Sequence, residues 1–294
     1  MKGAFRGDPA VKAALLARLR KHADAGTLLI GATSWDGTRG SALGVSVEGG
    51  DSTVYAERFG YPPALAGLLD PLVVHGGADR GIEVALEWVS CVTPGADLSA
   101  VPMRIVEHVL VEMQADRLAK RFFDELLALY RAEVAGARLM RSDWSALRAQ
   151  IEQAMLSTEA GSDLRAALDA CAIACWSLQT SVSVLATVIA AWVRDSNRTP
   201  DPAFGSEEKA RAHAVLEQIY DETQPLRAAG EAVDILSMFR RRAPALAAAF
   251  EANLDRCNAR HGRRAQEAAA MVLTHLAAAS STLRVIEEHP CPTR

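Results

Sequence analysis

Apolar residues recur at helical spacing along most of this chain. After Asp8-Pro9, a capping residue followed by a first-turn proline, Val11, Leu15, Leu16 and Leu19 mark one face of a helix that ends near Gly26. The period then changes. TLLIGATSW and SALGVSVEG are short apolar, β-branched runs on either side of Asp36-Gly37, and together they predict a β-hairpin at about 27–48. Beyond Gly50 the helical pattern returns. Asp51 or Ser52 caps a short helix through Arg58 that Gly60 closes, Pro62-Pro63 opens another, and a third runs from about Asp79 to Val92. Longer helices are predicted at about 101–136, 142–157 and 161–196. Asn197 to Gly205, with Pro200 and Pro202, reads as a linker, and helices at about 206–227, 230–258 and 262–288 follow it. The expected architecture is mainly α. A helical bundle over 1–196 carries a small N-terminal β-hairpin, 197–205 is a linker, and 206–294 is a C-terminal helical bundle.

Composition supports this picture. Of 294 residues, 50% are hydrophobic but only 5% aromatic, which favours closely packed alanine-rich helices over a β-sandwich. The net charge of −4 gives no global attraction to nucleic acid or anionic membrane. Cys91, Cys171, Cys175, Cys257 and Cys291 are scattered and form no CxxC pair, so reduced thiols are expected. The N-terminus shows no secretory signal, and the expected location is cytoplasmic. Ala170 to Val193 carries no charge and is long enough to span a bilayer. Ser177, Gln179, Thr180, Ser181, Ser183 and Thr187 argue against that, and the segment is read as a buried bundle helix.

Several residues in order carry a family likeness: Gly40-Ser41-Ala42-Leu43-Gly44-Val45, then Tyr55-Ala56-Glu57-Arg58-Phe59-Gly60-Tyr61-Pro62, Leu65 to Asp70, and Pro94-Gly95-Ala96-Asp97-Leu98. This order resembles a family of uncharacterised bacterial and phage-encoded proteins with a GCAVGC-like hairpin, a YE…GIP helix start, an LARLED-like helix and a PxGADL turn. The likeness spans about 13–195 and is most specific at 31–98. It implies a fold type and no activity. Ser41 and Val45 stand where the family motif has cysteines, and Leu69 replaces the acidic residue beside Asp70. Both departures point to a structural role for the hairpin.

Few residues suggest chemistry. The glycine-rich stretch WDGTRGSALGVSVEGG has no lysine for a Walker loop and does not open a long helix as a dinucleotide fingerprint does. It is read as a turn whose glycines supply positive φ, with Arg39 the one charged residue there worth testing. His108/Glu112/Asp116 and His213/Glu217/Asp221 repeat at helical spacing, but neither accompanies the ExxH pair of di-metal bundles, so no metal or cofactor is expected. The cysteines lie among apolar neighbours and suit packing. Arg39, Tyr55, Glu57, Arg58 and Asp70 are the candidate ligand-binding set, gathered beside the hairpin. The leading functional reading is a non-enzymatic helical binding or interaction protein, with a protein partner or self-association. The alternatives are a small-ligand- or nucleotide-binding enzyme using those five residues, and a nucleic-acid-associated protein using Arg240-Arg241-Arg242, Arg256, Arg260, Arg263 and Arg264.

Overall fold

Several helices begin where a side chain ahead of an apolar period satisfies one of the first free amides. The computed structural model describes residues 3–31, 34–113, 117–178, 180–196 and 201–287. Asp8 caps α1 (Pro9–Asp24) by accepting from Ala10 N at 2.8 Å. Asp51 caps α3 (Ser52–Phe59), and Gly60 ends it in the left-handed conformation at φ 71. Between them lies a helix that the sequence pattern did not suggest, α2 (Ala42–Val47).

That helix corrects the predicted hairpin. No β-strand occurs among the described residues, and Leu28 and Trp35 make only isolated bridges to Gly40. Two side chains hold the SALGVSV segment helical: Ser41 Oγ accepts from Gly44 N at 3.0 Å, and an Asp70 oxygen accepts from Leu43 N at 2.8 Å. Ala42 to Ser46 are all buried, so the helix is apolar nearly all round and its sequence reads like a buried strand. The glycines serve differently from expectation as well. Gly37 has the positive φ of a turn, at 101°. Gly40 and Gly44 instead permit backbone contact, because a Cβ on them would lie 2.2 and 1.4 Å from Ser34 O.

The chain continues through α4 (Pro63–Ala66), α5 (Leu69–Ser90), α6 (Val101–Glu112) and α7 (Arg117–Val134). Then follow α8 (Arg141–Leu156), α9 (Asp163–Ala174), α10 (Val184–Asp195), α11 (Ser206–Ala228), α12 (Ile235–Arg242) and α13 (Pro244–Glu287). Several boundaries differ from the period reading. α5 joins two expected helices across a kink at Gly77, φ 70. The expected 161–196 helix is broken into α9 and α10. The break falls between Ala174 and Val184, in a stretch rich in serine and threonine, residue types that favour turns and caps over helix interiors. Conversely, α13 runs unbroken through Gly262, where one glycine costs a long helix only about 1 kcal/mol. Among the described residues no helix is long and apolar enough to cross a membrane.

Two compact units result, Met1–Asp195 with Arg264–Arg294, and Ser196–Arg263. In the first, α9 packs on α10 and α8, α1 on α5, and α6 on α10. An aromatic cluster ties its N-terminal half together. Tyr61 stacks on Trp88 at 5.5 Å and meets the edge of Phe5 at 5.7 Å, while Tyr55 meets Phe59 at 4.8 Å. The Pro94–Leu98 turn anchors the N-terminal segment, through Ala4 N to Ala96 O at 2.9 Å and Gly95 N to Ala4 O at 2.7 Å. In the second unit Phe204, Ile219, Phe239 and Ala247 form a separate core. Of the expected linker, Asn197 to Pro200 lie outside the described residues. Asp201 and Phe204 are buried in the second unit, Asp201 accepting from Arg256 Nε at 2.7 Å.

Candidate functional site

The five candidate residues do not gather into one pocket. Arg39 is exposed and closes its own turn, with Nε donating to Asp36 Oδ2 at 3.0 Å. Asp36 also accepts from the Arg39 and Thr38 amides at 3.0 Å, and these bonds hold its carboxyl well below the usual carboxylate range. Tyr55 is fully buried. Its hydroxyl accepts from Trp88 Nε1 at 3.1 Å, and burial drives its pKa far up, so it is a core residue unavailable to solvent. Glu57 and Arg58 lie on the exposed side of α3. The Glu57 carbonyl accepts from Arg6 Nη2 at 2.7 Å, and the Arg58 guanidinium sits 5.6 Å from the Phe59 ring centre. Arg58 also borders a recess of about 310 Å³ with Arg6 and Arg18, and Asp70 lines a larger one.

Asp70 stands at the second position of α5, where its carboxylate reaches the first turn of α2. Burial raises its pKa above the ordinary value, and the bonds from the Leu43 amide and the Ser41 side chain oppose that rise only in part. The recess beside it is a groove of about 880 Å³. One wall is the start of α5, with Asp70, Val74 and His75; the other is Ser183 and one face of α10, with Ala186, Thr187, Ala190 and Arg194. The two walls meet at Gly67, where a Cβ would lie 1.9 Å from Val182 O. The α10 wall is made of small side chains because the larger ones, Leu185, Val188, Ile189 and Trp192, point into the core. Val74 remains 49% exposed on the α5 wall.

Sequence reasoning missed the α10 residues. Their signal was present: Ser183, Thr187, Ala190 and Arg194 recur every three or four residues, with Ala186 beside Thr187, through a largely apolar segment. Reading Ala170 to Val193 as one helix buried all round hid that second face.

The other candidate constellations are also placed. Among the described residues no group of three or more His, Cys, Asp or Glu is arranged to hold a metal. Of the first triple, Asp116 lies outside the described residues, Glu112 is exposed, and His108 meets the rings of Trp192 at 6.2 Å and His275 at 5.7 Å. In the second, His213 Nε2 approaches Glu217 at 3.1 Å on the solvent face. Cys171 and Cys175 are buried, and burial pushes both thiols up to about 12. Arg240, Arg242, Arg256 and Arg264 are ion-paired to Glu251, Glu222, Asp201 and Glu267. Those guanidiniums already have anionic partners within the protein. No protein-family model, curated protein or solved structure matches the chain.

Proposed function

We propose that this is a non-enzymatic binding protein that takes an amphipathic helical segment of a partner protein in the groove between α5 and α10. The observation that carries this reading is the groove's lining. Ala66, Gly67, Ala186 and Ala190 keep its walls low, and small side chains are what allow a second helix backbone to approach closely. Its charges suit a helix as well. Asp70 lies near Gly67, where α4 touches the start of α10, and Arg194 lies near the far end of α10, about 15 Å of helix rise from Val184. A helix of about ten residues running from Asp70 towards Arg194 places its positive N-terminus at the carboxylate and its negative C-terminus at the guanidinium. The five residues expected to serve an enzyme assemble no acid, base or nucleophile around a common space, which favours binding over catalysis.

A photoreactive benzoylphenylalanine at Thr187 tests the reading in cells. Cross-linked partner peptides are sequenced, and the matching synthetic peptide is titrated into the wild type and into Ala186→Trp. The expected result is one partner segment, a gain of peptide helicity on binding, and an affinity at least about tenfold weaker for the variant, whose indole fills the groove. Equal binding to Ala186→Trp, a peptide bound without helix, or cross-links to this chain alone would overturn it.

A further inference from the structure

Another recess lies in the same unit, shares no lining residue with the α5–α10 groove, and has different chemistry. It encloses about 510 Å³, within the range of about 300–1,000 Å³ common for small-ligand sites. The first two turns of α8 supply Arg141, Trp144, Ser145 and Arg148, and the segment after α9 supplies Trp176 and Ser181. Two guanidiniums, two indoles and hydroxyls therefore face one space.

The two arginines and Trp176 keep capacity to bind. The Arg148 guanidinium sits 4.5 Å from the ring centre of Trp176. Its Nε is buried and makes no hydrogen bond, since the 3.3 Å approach to Glu152 is a charge contact without hydrogen-bond geometry. A guanidinium carries five donors, so a phosphate can bind Arg148 beside its ion pair with Glu152. Arg141 is exposed at the first position of α8, and no ion pair to it is found among the described residues. At the start of α8 the Asp143 carboxylate accepts from the Met140 amide at 2.8 Å, so the helix end is already capped and the positive charge of the recess comes from the two arginines. Trp176 stays 49% exposed although Arg148 stacks on it, and Trp144 is held against Tyr130 at 4.9 Å. Glu133 also lines the recess, and burial raises its carboxyl above the ordinary value.

The geometry points to a binding site for a ring-bearing organic phosphate the size of a nucleoside monophosphate, its phosphate held by Arg141 and Arg148 and its ring stacked with Trp176. Guanidinium forks match phosphate oxygens, and indoles stack on bases of any sequence. Ser145 and Ser181 supply hydroxyls for a sugar.

Titration of the full chain with AMP, GMP, CMP and UMP, followed by tryptophan fluorescence and calorimetry, tests this, with adenosine and inorganic phosphate as comparison ligands. At least one mononucleotide is expected to quench fluorescence and bind saturably. Adenosine and phosphate alone should each bind at least about tenfold more weakly, because each keeps only half of the contacts. Arg148→Gln, Arg141→Gln and Trp176→Leu should each weaken the nucleotide by about tenfold or more. Arg141 is exposed, so Arg141→Gln keeps its fold and decides the matter if either other variant does not. Absence of binding by all four nucleotides at millimolar concentration overturns the proposal. So does phosphate or nucleoside binding as tight as the nucleotide, or unchanged affinity in Arg141→Gln.

Discussion

Tyr55→Phe separates a core tyrosine from a functional one. Tyr55 and Trp88 are both fully buried, and the Tyr55 hydroxyl accepts from Trp88 Nε1 at 3.1 Å. Removing one oxygen keeps the ring, its contact with Phe59 at 4.8 Å and its contact with Tyr61 at 5.5 Å. The cavity left is therefore small. What changes is the indole N–H, a donor with no acceptor of its own, which stays buried without a partner. That costs about 1–3 kcal/mol. For a unit of this size the melting temperature moves about 2–4 °C per kcal/mol, so a loss of about 2 kcal/mol lowers it by about 4–8 °C. Urea unfolding followed by far-UV circular dichroism should show a lower midpoint at unchanged slope. In a Trp88→Phe background the donor is already gone, and Tyr55→Phe should then cost about 1 kcal/mol less. Additive effects, or a single-variant loss below about 0.3 kcal/mol, would refute the reasoning. Binding in the α5–α10 groove should be unaffected, because Tyr55 does not line it.

Two further outcomes follow from particular contacts. Burial raises the folded-state pKa of Asp70, so the folded chain holds that proton more tightly than the unfolded one. The contribution of Asp70 is then most favourable below its unfolded pKa and declines as pH rises through the folded value. Asp70→Asn keeps an acceptor for the Leu43 amide and should remove part of the fall in melting temperature above a pH of about 4; an unchanged slope counts against it. Gly44→Ala places a methyl 1.4 Å from Ser34 O and should cost at least about 3 kcal/mol by chemical denaturation. Gly49→Ala, with nothing within 4 Å of its Cβ, should stay within about 0.5 kcal/mol; equal losses for the two would show that close approach is not what Gly44 provides.

Much of the helical architecture was legible because its signals are local. Asp8 and Asp51 cap where a short side chain precedes an apolar period, and Gly60 ends α3 because glycine adopts the left-handed conformation at least cost. The candidate site was legible in one residue, Asp70. Tyr55, Glu57, Arg58 and Arg39 have the residue types of a site, but their surroundings assign them to the core, to the solvent face of α3 and to a turn.

The sequence by itself determined that the chain is mainly helical, since amphipathic period, caps and glycine stops act within a few residues of one another. Tertiary structure decided the rest. SALGVSV becomes α2 because Asp70, distant in sequence, satisfies one of its first amides and because the segment is buried from Ala42 to Ser46. The Ala170 to Val193 stretch becomes two helices, one of which turns its small residues outward to make a groove wall. The recess with Arg148 and Trp176 exists only because α8 packs on α9, and no spacing in the sequence brings those two side chains together. Period and propensity describe each helix alone, whereas a site depends on which faces remain after the helices have packed.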